Sequence, residues 1–140
     1  MAREYISPTL RESVYRRANG QCEYCLIPEE VTFASHEIDH VIAIKHGGMT
    51  TQENLALSCS VCNKRKGTDL TSIDPFNNEI APIFNPRNTQ WLEHFQLQGG
   101  EIIALTPTGR ATVRLLQLNR SERVLERNLL LEAGKITIPE

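Results

Sequence analysis

The chain has 140 residues, enough for one domain or a small metal-stapled module with an elaboration. Its 15 Lys+Arg stand against 17 Asp+Glu, a formal net charge of −2 that excludes a uniformly basic nucleic-acid coat and leaves any such affinity to local clusters and bound cations. No stretch is apolar enough to span a membrane, and Met1-Ala2-Arg3-Glu4 lacks the apolar core of a signal peptide, so a cytoplasmic chain with no membrane partner is expected.

Ser7-Pro8 opens the first predicted helix, with Ser7 as N-cap and Pro8 at the first helical position. Leu10, Val14, Tyr15 and Ala18 recur at helical spacing, and Asn19-Gly20 ends the run. Gln21 to Pro28 reads as a metal-knuckle turn. His36 to Lys45, rich in Ile and Val, predicts a strand, and His46-Gly47-Gly48 turns the chain. Glu53 to Leu57 is ambiguous, and Ser58 to Arg65 reads as a turn followed by a short helix. Thr68 to Asn88 is loop-like, with Asp74-Pro75, Asn77-Asn78 and Asn85-Pro86 as turn signals. A β-hairpin is predicted from Trp91–Gln98 and Glu101–Thr106 about Gly99-Gly100. Two helices follow, Arg110 to Leu118 and Glu122 to Ala133, the second capped by Ser121 and closed by Gly134. Leu115, Leu116, Leu118, Val124, Leu125, Leu129 and Leu130 are expected to pack this pair together.

The four cysteines form two Cys-x-x-Cys pairs, Cys22/Cys25 and Cys59/Cys62. In a reducing compartment such pairs bind metal more often than they form disulfides. Thiolates suit tetrahedral zinc, and four of them fill its shell, so the predicted zinc is structural. It would clamp the first turn to the turn before the short helix and fix Asn63, one residue beyond Cys62, against the strand carrying Asp39.

Between and beside the cysteines lie Glu37-Ile38-Asp39-His40, Gly47-Gly48, Asn54-Leu55 and Asn63-Lys64-Arg65-Lys66-Gly67. In this order the segment resembles the HNH, or ββα-metal, nuclease family, of a small stand-alone bacterial type with a four-cysteine zinc site. The resemblance covers roughly the first half of the chain and implies a β-hairpin and a helix gripping one divalent cation. It makes His40 the general base, Asn54 the asparagine that steadies the loop, and Asn63 the last letter of the motif. The family often has His at that last position, and Asn there changes the metal preference.

The chemistry agrees with the resemblance. Hydrolysing a phosphodiester needs a water deprotonated near neutral pH, for which His is suited. It also needs positive charge on the phosphate and the leaving oxygen, which Mg²⁺ or Mn²⁺ supplies. Asp39 and Asn63 offer the oxygen ligands these ions prefer. Lys64, Arg65 and Lys66 are expected to meet phosphate. In a regular strand Asp39 and His40 point to opposite faces, which requires either a distorted strand or approach to the phosphate from two sides.

A competing motif, His36-Glu37-Ile38-Asp39-His40, fits the H-E-x-x-H of zinc proteases. That motif works only on a helix. In the predicted strand the two histidines lie roughly 13 Å apart, too far to share a zinc.

In the second half, Pro82-Ile83-Phe84-Asn85-Pro86-Arg87 and Trp91-x-x-His94-Phe95 resemble an extension of some stand-alone bacterial HNH proteins. Phe84, Trp91 and Phe95 are expected in the core. Arg87 and His94 are open between active-site and local roles, and the Arg110, Arg114, Arg120, Arg123 and Arg127 series reads as a solvated helix face.

The expected protein is therefore α+β, with a zinc-stapled ββα-metal core over residues 1–70 and a packed extension of loop, β-hairpin and two helices over 71–140. Its expected activity is metal-dependent endonucleolytic cleavage of DNA, with RNA left open. The alternative is a zinc-stapled nucleic-acid-binding module without catalysis.

Overall fold

The computed structural model describes residues 5–140; the first four residues, on which the signal-peptide expectation rests, lie outside the described part. The chain is a mixture of helix and strand in which every sheet is a two-stranded antiparallel ribbon. Helix α1 (Pro8–Arg17) starts as the sequence dictates, with the Ser7 side chain accepting from Leu10 N and Pro8 at the first position. Its Val14 packs with Ile6, Leu55 and Leu57 in a small core under strand β2.

Strand β1 (Glu37–His40) pairs with β2 (Leu55–Ser58) in the register Asp39 opposite Ala56 and His40 opposite Leu55. Helix α2 (Ser60–Lys66) follows β2 directly and packs on the ribbon, completing the ββα unit. The predicted strand to Lys45 stops at His40. Beyond it Ile42 bonds through both backbone groups to the Asn54 side chain, and Ile44–His46 forms a 3-10 turn. A helix through His36 and His40 is thereby excluded, and with it the geometry a zinc-protease motif requires.

The second half departs further from expectation. The loop-like stretch contains a hairpin, β3 (Thr71–Ile73) with β4 (Ile80–Pro82), whose turn is tied by Asn78 N donating to Asp74 O. Trp91–His94, expected as strand, is one helical turn (α3), because Gln90 and Glu93 form a capping box at its start. The hairpin about Gly99-Gly100 is shorter than expected, β5 (Phe95–Gln98) with β6 (Glu101–Ala104). Helices α4 (Pro107–Leu116) and α5 (Ser121–Glu132) complete the chain. Leu116 and Leu118 join the core, whereas Leu125 and Leu129 face solvent instead of packing the helix pair.

The main core does not respect the boundary near residue 70. Tyr24, Leu26, Ile27 and the four cysteines share it with Phe84, Trp91, Phe95 and Ile102. Trp91 Nε1 donates to Tyr24 O at 3.1 Å, so the indole of the second half satisfies a backbone acceptor of the first cysteine turn. Among the described residues no helix is long and apolar enough to cross a membrane.

Candidate active site and cysteine cluster

The first cysteine pair sits in a tight turn closed by Leu26 N to Cys22 O and Cys22 N to Ile27 O, with Leu26 left-handed. The second pair starts α2, with Cys59 at the N-cap. In each pair a backbone N–H points at sulfur, Cys25 N to Cys22 Sγ at 3.4 Å and Cys62 N to Cys59 Sγ at 3.3 Å. All four sulfurs lie within 4.8 Å of one another, buried. The Cys25–Cys59 separation of 3.7 Å matches the edge of a tetrahedron with zinc–sulfur bonds of about 2.3 Å. The cluster therefore fits a structural zinc. Burial pushes the Cys22 thiol well up, so four thiolates in this position call for a cation among them.

Strand β1 and helix α2 border a cleft of about 480 Å³ lined by Asp39, His40 and Asn63, with Arg11, His36 and Glu37 at its sides. Asp39 is buried. Tyr24 donates its hydroxyl to Asp39 Oδ2 at 2.9 Å, and Lys66 Nζ lies 3.1 Å from Oδ2 and 3.3 Å from Oδ1. Burial pushes the Asp39 carboxyl up, while the Lys66 ammonium and the Tyr24 hydrogen bond pull it back toward the ionised form. His40 is half-buried, and its Nε2 is 2.9 Å from Thr50 Oγ1. With Nε2 as the donor, the ring is held in one orientation and Nδ1 is left as the basic nitrogen. The hydrogen bonds of Asn63 among the described residues are those of its backbone, and the residue lines the cleft.

Asn54 is the lock of the loop between the strands. Its Oδ1 accepts from Ile42 N, and its Nδ2 donates to Ile42 O and to Met49 O, each at 2.9 Å. Gly48 is required beneath it, since an added Cβ would sit 1.7 Å from the Ile42 carbonyl oxygen. Replacing Asn54 by Ala removes three hydrogen bonds that hold backbone groups of the loop and leaves those groups to solvent. The expected cost is about 1–3 kcal/mol, read as a lowered Tm in a thermal melt, with any cleavage activity reduced but not lost.

The basic run divides. Lys64 is exposed, Arg65 donates to Leu116 O at 3.0 Å and ties α2 to α4, and Lys66 is buried on Asp39. Of the three cations expected at phosphate, Lys64 is exposed and Arg65 half-buried, whereas the ammonium of Lys66 faces a carboxylate. Arg87 pairs with Glu23, whose other oxygen accepts from Leu57 N at 2.8 Å, and His94 lies between Thr106 and Thr89. Neither lines the cleft. His36 Nε2 is 2.8 Å from Ile27 O, and His46 is exposed. Nor do the C-terminal arginines form one solvated face. Arg110 forks onto Asp74, Arg123 meets sulfur, and Arg127 is fully buried. Tyr24 and Thr50, which hold Asp39 and His40, carried no sequence signal of that role. Their partners lie 15 and 10 residues away, and only the fold joins them.

Residues 22–69 match the sequence model of the HNH endonuclease family. The Septu protein PtuB of Bacillus thuringiensis is 24% identical over 135 residues, 95% of this chain and 50% of that protein. The chain thus spans about half the length of the curated relative it matches. No solved structure gives a significant match. The matched segment contains both cysteine pairs, the β1–β2 ribbon, the Asn54 lock and helix α2, and on these grounds residues 22–69 are identified as an HNH endonuclease domain.

Proposed function

We propose that this chain is a divalent-metal-dependent endonuclease that hydrolyses phosphodiester bonds in DNA. The observation that supports it most is the convergence of three residues on one cleft, with the His40 imidazole oriented by Thr50 beside the Asp39 carboxylate and the Asn63 amide. His40 Nδ1 takes the proton of the attacking water, and Thr50 keeps the ring turned for that transfer. Asp39 and Asn63 would hold one Mg²⁺ or Mn²⁺. The donors fit such an ion: both offer oxygen, and the Asp39 oxygens retain lone-pair capacity beyond their contacts with Tyr24 and Lys66. Such an ion, when bound, neutralises charge on the scissile phosphate and the leaving oxygen. Lys66 and Tyr24 keep Asp39 in place, Asn54 holds the loop that carries Thr50, and Lys64 faces the phosphate backbone.

A second reading, binding without catalysis, is favoured by one observation. The Lys66 ammonium already balances the charge of Asp39, which a pure binding module would also need. Conversion of supercoiled plasmid to nicked or linear forms separates the two. The endonuclease reading expects cutting with Mg²⁺ or Mn²⁺, none with EDTA, and restoration on adding metal back. Retarded migration of the DNA without cutting, under every metal tried, would leave only the binding module.

A further inference from the structure

Helix α5 brings a cation to the cysteine cluster. Arg123 Nη2 donates to Cys25 Sγ at 3.1 Å and to Cys59 Sγ at 3.2 Å. These two sulfurs come from different cysteine pairs, so the guanidinium bridges the two halves of the ligand set. The Arg123 side chain is 12% exposed, and its carboxylate neighbour, Glu126, stands farther off at 3.7 Å. A guanidinium withdrawn from water needs compensation, and here thiolate sulfur supplies most of it. The need is mutual. Four thiolates around a dication leave two uncompensated negative charges inside an apolar core lined by Trp91, Phe95 and Leu116.

The next turn of the same helix does a different task. Arg127 is fully buried, with Nε on Gly100 O at 2.7 Å and Nη2 on Asn119 Oδ1 at 3.1 Å. Asn128 adds a bond from Gly100 N. These contacts dock α5 on the β5–β6 turn without involving Arg123, so anchoring and sulfur contact can be separated by substitution.

We propose that Arg123 is a resident part of the zinc site, hydrogen-bonding two of its thiolates, offsetting their excess charge and slowing loss of the metal. Donors to ligand atoms hold metals in this way, and losing one typically costs about 10–100-fold in affinity. The second half of the chain thereby contributes directly to a site whose ligands all lie in the first half.

The test uses the zinc-loaded full chain. Arg123→Met keeps the reach of the side chain and removes both charge and donors. Challenged with excess chromophoric chelator, it should release zinc about 10-fold faster than wild type or more. With cobalt(II) in place of zinc, the thiolate-to-metal charge-transfer bands should move to lower energy, because unbonded thiolates are more electron-rich. A mere packing role for Arg123 would not move those bands. Arg123→Lys should fall between, and Arg120→Met, which removes exposed side-chain bonds to Glu122 and Gln117 and none to sulfur, should match wild type in both measurements. A folded Arg123→Met protein with wild-type release and an unshifted cobalt spectrum overturns the proposal. If Arg123→Met does not fold, Arg123→Lys decides: faster release with a shifted band supports the role, and wild-type values overturn it.

Discussion

His40→Ala is expected to lower plasmid cleavage by about 10²–10⁴ in rate, the usual cost of removing a general base, while the fold and the zinc content stay as in wild type. The position makes this separation clean. The His40 imidazole belongs to neither core, and among the described residues its one hydrogen bond is to the Thr50 hydroxyl. Its backbone carbonyl still accepts from Lys66 after the substitution, and the pairing with Leu55 is a backbone matter. Thr50→Val should cost less, since it frees the ring without removing it. Initial nicking rates beside circular dichroism melts measure both parts. A His40→Ala protein that cuts at the wild-type rate would remove His40 from the mechanism.

Loss of the structural metal is expected to have the largest effect on stability. Zinc in small cysteine sites contributes about 10–16 kcal/mol of apparent binding free energy, comparable with or larger than the roughly 5–15 kcal/mol by which whole domains are stable. Here the ligands are not on a peripheral loop. Cys22, Cys25, Cys59 and Cys62 sit at the centre of the main core, against Tyr24, Leu26 and Phe84. Purified protein should hold one tightly bound zinc per chain. Cys59→Ser, or a chelator in mild denaturant, should collapse that core and expose Trp91, which is 3% exposed in the fold. A red shift of tryptophan emission together with loss of the melting transition reports it. Two disulfides and no metal in the purified protein would sink the zinc assignment.

The sequence revealed most where the physics is local. Cysteine pairs three residues apart announce a metal because a single turn presents both sulfurs, and the four sulfurs gather as that reading expects. The Ser7-Pro8 start and the hairpin about Gly99-Gly100 are likewise decided by neighbouring residues. What could not be read is what distant residues impose. Ile42 and Ile44 have strand propensity, yet the Asn54 amide takes both backbone groups of Ile42 and ends the strand. Lys66 reads as one of three surface cations, and only the packing of α2 on β1 reveals the carboxylate it meets. Arg123 and Arg127 look like a charged helix face because nothing nearby in sequence tells of sulfur 98 residues away or of the Gly100 carbonyl. At the candidate site, His40, Asp39, Asn54 and Asn63 were legible as a motif, whereas the hydroxyls and ammonium that hold them were not.

The placement of the cysteines also bears on how the chain reaches this state. Cys25 and Cys59 are 34 residues apart, and β1, the Asn54 loop and the whole of β2 lie between them. A cation bound to both pairs before folding is complete turns that segment into a ring. The entropy of closing such a ring grows only with the logarithm of its length, so capture early in the search costs little more than for a shorter loop. Inside the ring the two strands are already neighbours, and the registers open to them are few. Bound that early, the ion that holds the native core would also narrow the search that leads to it, with the segment bearing His40 inside the ring.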